Sequence, residues 1–199
     1  MRKVVFDIDD TAWSLNGRIC GLFSIDMNAI ENFYIKYNEK LSEEQKKLLI
    51  ESYSNHEMFK NIEWYDGFTD IFDLEQLGCE VFINSNCNTE EVREVKQYEL
   101  VDKLGFNPDR VILNVVSNPK HKDLGNEIYI FVDDSPFNLA KSEAIYNIAL
   151  KKPWNTSESG KEIIGDKKVI YCDTLLEAIE IIRKLLSGAK RYESYKNSN

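Results

Sequence analysis

Short unbroken apolar runs punctuate the chain and alternate with stretches of helical spacing. Val4-Val5-Phe6 opens the series, followed by Val81-Phe82-Ile83, Val111-Ile112-Leu113, Ile128 to Val132, Ile148 to Leu150, and Val169-Ile170-Tyr171. Runs of this kind, without polar alternation, suit strands buried on both faces of a parallel sheet. Thr89 to Leu104 starts on an N-cap residue and carries Val92, Val95, Tyr98 and Leu100 near helical spacing. Ser135-Pro136 joins an N-cap residue to a proline suited to a first helical turn. Thr174-Leu175-Leu176-Glu177 is a capping box, and the amphipathic helix behind it is predicted to run to about Leu186. Strands alternating with helices predict an α/β fold, a Rossmann-like and mostly parallel sheet with helices on both faces.

One stretch breaks the alternation. Between 14 and 64 nothing reads as a strand of that sheet. Ile25 to Tyr37 and Ser42 to Tyr53 read as helices, the second opened by the capping box Ser42-Glu43-Glu44-Gln45. A connection of about fifty residues far exceeds an ordinary strand-to-helix loop. It is therefore expected to be a small helical cap inserted after the first strand, with crossings near Ala12 to Ser14 and Trp64 to Gly67. The expected division is a catalytic core of 1–13 and 65–187, a cap of 14–64, and a polar tail of 188–199 that frays.

Composition narrows the function classes. The chain has 199 residues, 43% of them hydrophobic, enough for a sizeable core. Against 34 Asp+Glu stand 25 Lys+Arg, a formal charge of −9. That balance argues against gripping long nucleic acid or an anionic membrane, and leaves a small anionic substrate open. Cys20, Cys79, Cys87 and Cys172 form no CxxC pair, and His56 and His121 are the only histidines, so a structural zinc site is not expected. Reduced thiols are expected instead. The sequence turns acidic at Asp7, which leaves no room for a signal-peptide apolar region, and no run approaches a membrane span. A cytoplasmic location is the expectation.

Ligands of open α/β sheets bind outside the carboxyl ends of the strands. After the first run come Asp7, Asp9, Asp10 and Thr11; after the second, Asn84, Ser85 and Asn86. After the third come Ser117, Asn118, Pro119, Lys120 and Lys122; after the fourth, Asp133, Asp134, Ser135 and Pro136. Each group alone is ordinary helix-capping or turn chemistry. Together they put carboxylates, a hydroxyl, an amide and a lysine at one end of consecutive strands.

Asp7-Ile8-Asp9-Asp10-Thr11 after an apolar strand resembles the first motif of the haloacid-dehalogenase-like (HAD) phosphohydrolases. Ser85 with Asn86 is similar to the second motif, a lysine after the third strand to the third, and Asp133-Asp134 to the fourth. Within that superfamily, Phe82-Ile83-Asn84-Ser85-Asn86, Phe131 to Pro136, and Lys152-Pro153-Trp154-Asn155 resemble segments of the 5'(3')-deoxyribonucleotidase group. The resemblance implies a magnesium-dependent phosphomonoesterase working through an aspartyl phosphate, acting on a small phosphorylated substrate such as a nucleoside monophosphate. It assigns the nucleophile to Asp7 and the acid/base to Asp9. It gives Mg²⁺ the Asp7 side chain, the Asp9 backbone carbonyl and Asp133, with Asp134 behind them. Ser85, Asn86 and either Lys120 or Lys122 would hold the phosphoryl oxygens. Lys120, in the turn after Pro119, and Lys122, counted back from Asp133, both remain open.

The chemistry stands beside the likeness. Residues i and i+2 of an extended strand share a side, so Asp7 and Asp9 can approach one substrate atom. One carboxylate can attack phosphorus while the other, protonated, supplies the leaving oxygen. Four aspartates and one lysine leave three net negative charges, which would repel a phosphate dianion unless a hard cation such as Mg²⁺ is bound. Trp13 and Trp154 are candidate substrate contacts, although aromatics of the insert serve its own core equally well. A receiver-type signalling domain would share the acidic site, but such domains have no insertion of this length after the first strand. Two further readings remain: a phosphatase for another small metabolite, and a catalytically silent HAD-like binding module.

Overall fold

Val4, Val5 and Phe6 are fully buried because their strand has a neighbour on each edge and a hydrophobic layer on each face. The computed structural model describes residues 1–115 and 128–196, with side chains through 188. Strands β1 (Arg2–Phe6), β2 (Cys79–Cys87), β3 (Val111–Val115), β4 (Ile128–Val132), β5 (Tyr146–Leu150) and β6 (Val169–Cys172) form one sheet. Its order is β3-β2-β1-β4-β5-β6, and every pairing is parallel. Val5 pairs with Phe82 on one side and Phe131 on the other. Alternate residues feed separate cores: Val4 and Phe6 join the larger cluster, Val5 the smaller one with Phe131, Leu139, Ala149 and Ile164. This is the Rossmann-like α/β architecture that the alternation of runs predicts.

The helices are α1 (Leu15–Phe23), α2 (Glu43–Ser52), α3 (Glu90–Gln97), α4 (Pro136–Lys141), α5 (Pro153–Thr156), α6 (Glu158–Ile164) and α7 (Leu175–Lys196). α3 continues without a break into a wider turn, Tyr98–Lys103. α7 runs past Gly188, where the sequence reading has the tail begin, because Ala189, Lys190 and Arg191 are strong helix formers.

The insert differs from expectation in two places. α1 is absent from the sequence reading because Gly17 and Gly21 dilute its helical pattern. Gly17 is needed there: its N–H donates to the capping Ser14 hydroxyl, and a Cβ would lie 2.2 Å from that oxygen. Conversely, Ile25 to Tyr37 is not a helix but two short 3-10 turns, Met27–Ala29 and Ile35–Tyr37. Asparagine side chains take the backbone groups that a helix would need. Asn38 Oδ1 accepts from Asn32 N–H, while its Nδ2 donates to the carbonyls of Asn32 and Ile35. Asn32 Oδ1 accepts from Tyr34 N–H.

The two crossings between insert and sheet are paired with each other. Trp13 and Trp64 form an antiparallel bridge, and Tyr65 N–H donates to Ala12 C=O at 2.8 Å. Just beyond, Gly67 takes φ +86°, and a Cβ there would sit 2.6 Å from Leu176 Cδ2 of α7. The second crossing thus turns over α7 with a left-handed backbone that favours glycine.

All four cysteines are buried and none is in a disulfide. Burial raises the Cys20 and Cys87 thiols to about 11 and Cys172 to about 12. A rise of about 2 units lowers the thiolate fraction at pH 8 about 100-fold. Native protein should therefore alkylate these thiols slowly at pH 8 and faster as pH rises toward 11, whereas denatured protein reacts at once. Mass-resolved iodoacetamide kinetics measure this. No helix among the described residues is long and apolar enough to cross a membrane.

Candidate active site

Two aspartates extend the central strands by one residue each. Asp7 N–H donates to Val132 C=O at 2.9 Å, and Asp133 N–H to Ile148 C=O at 3.1 Å, so both backbones are held by the neighbouring strand. The carboxylates therefore emerge side by side from β1 and β4, the pair at which the strand order reverses. Ligand oxygens of Asp7, Asp133 and Asp134 lie within 4.8 Å of one another, and all three residues are buried. Clustered hard oxygens of this kind suit a magnesium ion.

Each surrounding group is fixed by a specific bond. Asp133 accepts from Ser135 N–H at 2.8 Å and Asn138 Nδ2 at 3.0 Å, both at the start of α4. Asp134 accepts from the Thr11 hydroxyl at 3.3 Å and Trp154 Nε1 at 2.7 Å. Asn155 Nδ2 donates to the Asp134 carbonyl at 2.9 Å. Trp154, a candidate substrate contact in the sequence, is 2% exposed and holds Asp134 while also bordering the cavity. Burial, with Asp10, Asp133 and Asp7 nearby, pushes the Asp134 carboxyl well up.

Asp9 turns to the other side of Asp7. Its Oδ1 accepts from Trp13 Nε1 at 3.1 Å, and its Oδ2 faces Lys96 Nζ at 2.5 Å. Trp13 is buried edge-on to Phe59 and orients this carboxylate. Burial raises the Asp9 carboxyl above its ordinary value; Lys96 opposes the rise and Asp7 adds to it. A raised carboxyl is what a proton donor needs.

Lys96 is the site residue that the sequence reading missed. It is 1% exposed, projects from α3, and also donates to Ser85 Oγ at 3.1 Å and Asn86 C=O at 3.0 Å. Phe59 of the insert covers it, with the ammonium 5.0 Å from the ring centroid. Burial lowers its affinity for a proton, but the Asp9 carboxylate outweighs this and raises the Lys96 ammonium above its ordinary value. A signal existed: Lys96 lies four residues after the buried Val92 and so shares the inward face of α3. Ser85 and Asn86, expected after the second strand, lie within the last residues of β2, Ser85 buried and Asn86 exposed, with the Ser85 hydroxyl and the Asn86 carbonyl against Lys96. Lys120 and Lys122 lie outside the described residues.

The turn after Asp7 is closed by Ile8, whose carbonyl accepts from Thr11 and Ala12 N–H. This turn puts Asp10 at φ +56°, a left-handed conformation that aspartate tolerates better than most residues. Its carboxylate accepts from Asn16 N–H at 3.0 Å and Asn16 Nδ2 at 2.7 Å, and Asn16 in turn accepts from the Tyr53 hydroxyl. Burial lifts the Asp10 carboxyl to about 7, against the pull of Lys152 and Asn16. One chain of hydrogen bonds thus joins the turn after Asp7 to α1 and the end of α2.

No family model and no curated protein matches the sequence. Solved structures do match the fold. A HAD hydrolase of family IA, variant 3, from Entamoeba histolytica aligns with TM-score 0.54 and 16% identity, over 94% of this chain and 100% of its own. A protein assigned as a phosphatase from Clostridium difficile gives 0.54 and 15%, over 91% and 98%. A protein assigned to the HAD hydrolases from Bacillus subtilis, solved with magnesium bound, gives 0.50 and 13%, over 92% and 98%. The fold of this chain is that of the HAD hydrolases.

Proposed function

We propose that this protein is a magnesium-dependent phosphomonoester hydrolase of a small phosphorylated metabolite, with a nucleoside monophosphate as the leading substrate. The observation that carries the reading is the buried set of Asp7, Asp133 and Asp134 at the reversal point of the sheet, flanked by the Asp9–Lys96 pair. The nucleotidase preference rests on the sequence likeness around Asp134, Trp154 and Asn155; Trp154 bonds the Asp134 carboxylate and Asn155 its backbone carbonyl.

The Asp7 carboxylate attacks phosphorus, the bond from phosphorus to the ester oxygen breaks, and the departing oxygen takes the proton of Asp9. Asp9, now ionised, accepts a proton from the water that attacks the phosphoryl group on Asp7. Phosphate leaves and both aspartates return to their starting states. Lys96 keeps Asp9 oriented and presents positive charge beside Ser85 and Asn86, where phosphoryl oxygens would lie. Magnesium, held by the Asp7 and Asp133 carboxylates and the Asp9 carbonyl with Asp134 alongside, would offset the negative charge that builds on phosphorus.

Release of inorganic phosphate from a panel of phosphomonoesters, including ribo- and deoxyribonucleotides, tests this. Turnover is expected with Mg²⁺ and should be lost in excess EDTA. Full activity in EDTA would exclude the mechanism, and no turnover of any ester would favour a silent binding module.

A further inference from the structure

Asp10 departs from ordinary backbone geometry at the centre of the site. Its φ of +56° is left-handed, a conformation that costs free energy in a residue with a Cβ and persists where the surroundings impose it. On one side of it, the Asp9 carboxylate lies against Trp13 Nε1 and Lys96 Nζ. On the other, the Thr11 hydroxyl donates to Asp134 at 3.3 Å. Asp10 is the single residue between these two contacts, so its backbone conformation sets how they lie to each other. The peptide that carries the Asp9 carbonyl ends on Asp10 N, and rotation about the Asp10 φ therefore turns that carbonyl relative to the Asp10 side chain.

The grip on Asp10 comes from the insert. Its Oδ1 accepts from Asn16 N–H at 3.0 Å, in the first turn of α1, and its Oδ2 from Asn16 Nδ2 at 2.7 Å. Two donors of one residue hold both oxygens, which fixes the carboxylate in direction as well as position. Asn16 is oriented in turn, because its Oδ1 accepts from the hydroxyl of Tyr53, the residue that ends α2. The reversed amide would set its oxygen against the Asp10 carboxylate. Asp10 and Asn16 are both buried, so breaking these bonds would leave polar groups poorly hydrated.

We infer that Asn16, oriented by Tyr53, is a positioning residue for the metal and acid/base groups. It holds Asp10 left-handed and so keeps the Asp9 carbonyl, the Asp9 carboxylate and the Thr11–Asp134 bond in their relative places. Two helices of the insert thereby act on the turn after Asp7. This inference rests on the magnesium-dependent reading and adds to it residues that work through Asp10.

Calorimetric titration of the full chain with MgCl₂ reads this role without turnover. Asn16→Ala should weaken Mg²⁺ binding about tenfold, as expected for a residue that orients metal ligands. Tyr53→Phe should weaken it about threefold, the scale of one lost hydrogen bond. Asp10→Gly and Asp10→Ala remove the same charge, but glycine adopts a positive φ freely, so the alanine variant should bind Mg²⁺ about fivefold more weakly than the glycine variant. In the Asp10→Gly background, Asn16→Ala should cost less than about twofold, because its amide has no carboxylate left to hold. A purely structural role would instead lower the melting temperature of Asn16→Ala and Tyr53→Phe while the folded proteins bound Mg²⁺ like the parent. That result would overturn the inference alone, as would a full tenfold loss in the Asp10→Gly background. If Asn16→Ala does not fold, Tyr53→Phe, which removes one oxygen at a half-buried position, decides in its place. A parent that binds no Mg²⁺ would overturn the magnesium reading and the inference together.

Discussion

Asp7→Asn should lower turnover by at least about 10³-fold, which is about 4 kcal/mol of barrier. The amide keeps the shape of the carboxylate but removes the attacking oxygen and one of the clustered charges. The Asp7 backbone is held by Val132, so the variant should fold as the parent does, and circular dichroism can check that. Beryllium fluoride, a phosphoryl mimic, should attach to the Asp7 carboxylate of the parent and not bind the variant. If Asp7→Asn kept parental turnover while Ser85→Ala abolished it, the covalent step would belong to a serine.

Lys96→Met should reduce turnover about 10²-fold and stability by about 2 kcal/mol. Methionine fills similar volume, so the loss reads the ammonium rather than a cavity. Asp9 is left facing Asp7 with its cation gone, and the Ser85 hydroxyl and Asn86 carbonyl lose their donor. The stability cost stays below that of a fully buried broken pair because the Asp9 side chain is 25% exposed and can take up a proton. Lys96→Arg should not restore activity, since a guanidinium has no room under Phe59 at a position 1% exposed. Urea melts and steady-state kinetics on the two variants separate these effects. A Lys96→Met protein with parental kcat and stability would remove Lys96 from the site.

The sheet was legible because its strands are apolar without alternation and its first and fourth strands end on aspartates. Those two facts place Asp7 and Asp133 together once the strands are parallel. Lys96 was hidden for the opposite reason: a lone lysine in an otherwise charged helix reads as solvated, and only its spacing from Val92 turns it inward. The stretch around Asn32 and Asn38 misled because hydrophobic spacing says nothing about side-chain amides that capture backbone groups. The link from Asp10 through Asn16 to Tyr53 has no sequence signature either; it joins residues brought together by a left-handed turn and two helices.

The central place of β1 has a consequence for how the protein is made. Val4, Val5 and Phe6 are synthesised before the strands they pair with, and the partners of Val5 are Phe82 and Phe131. At about 5–20 residues per second, the second partner follows on the order of ten seconds later. During that interval this apolar strand has nothing to pair with on the β4 side. Loop closures this long also slow refolding of the finished chain. Folding yield should therefore be sensitive to how long this strand stays unpaired during synthesis.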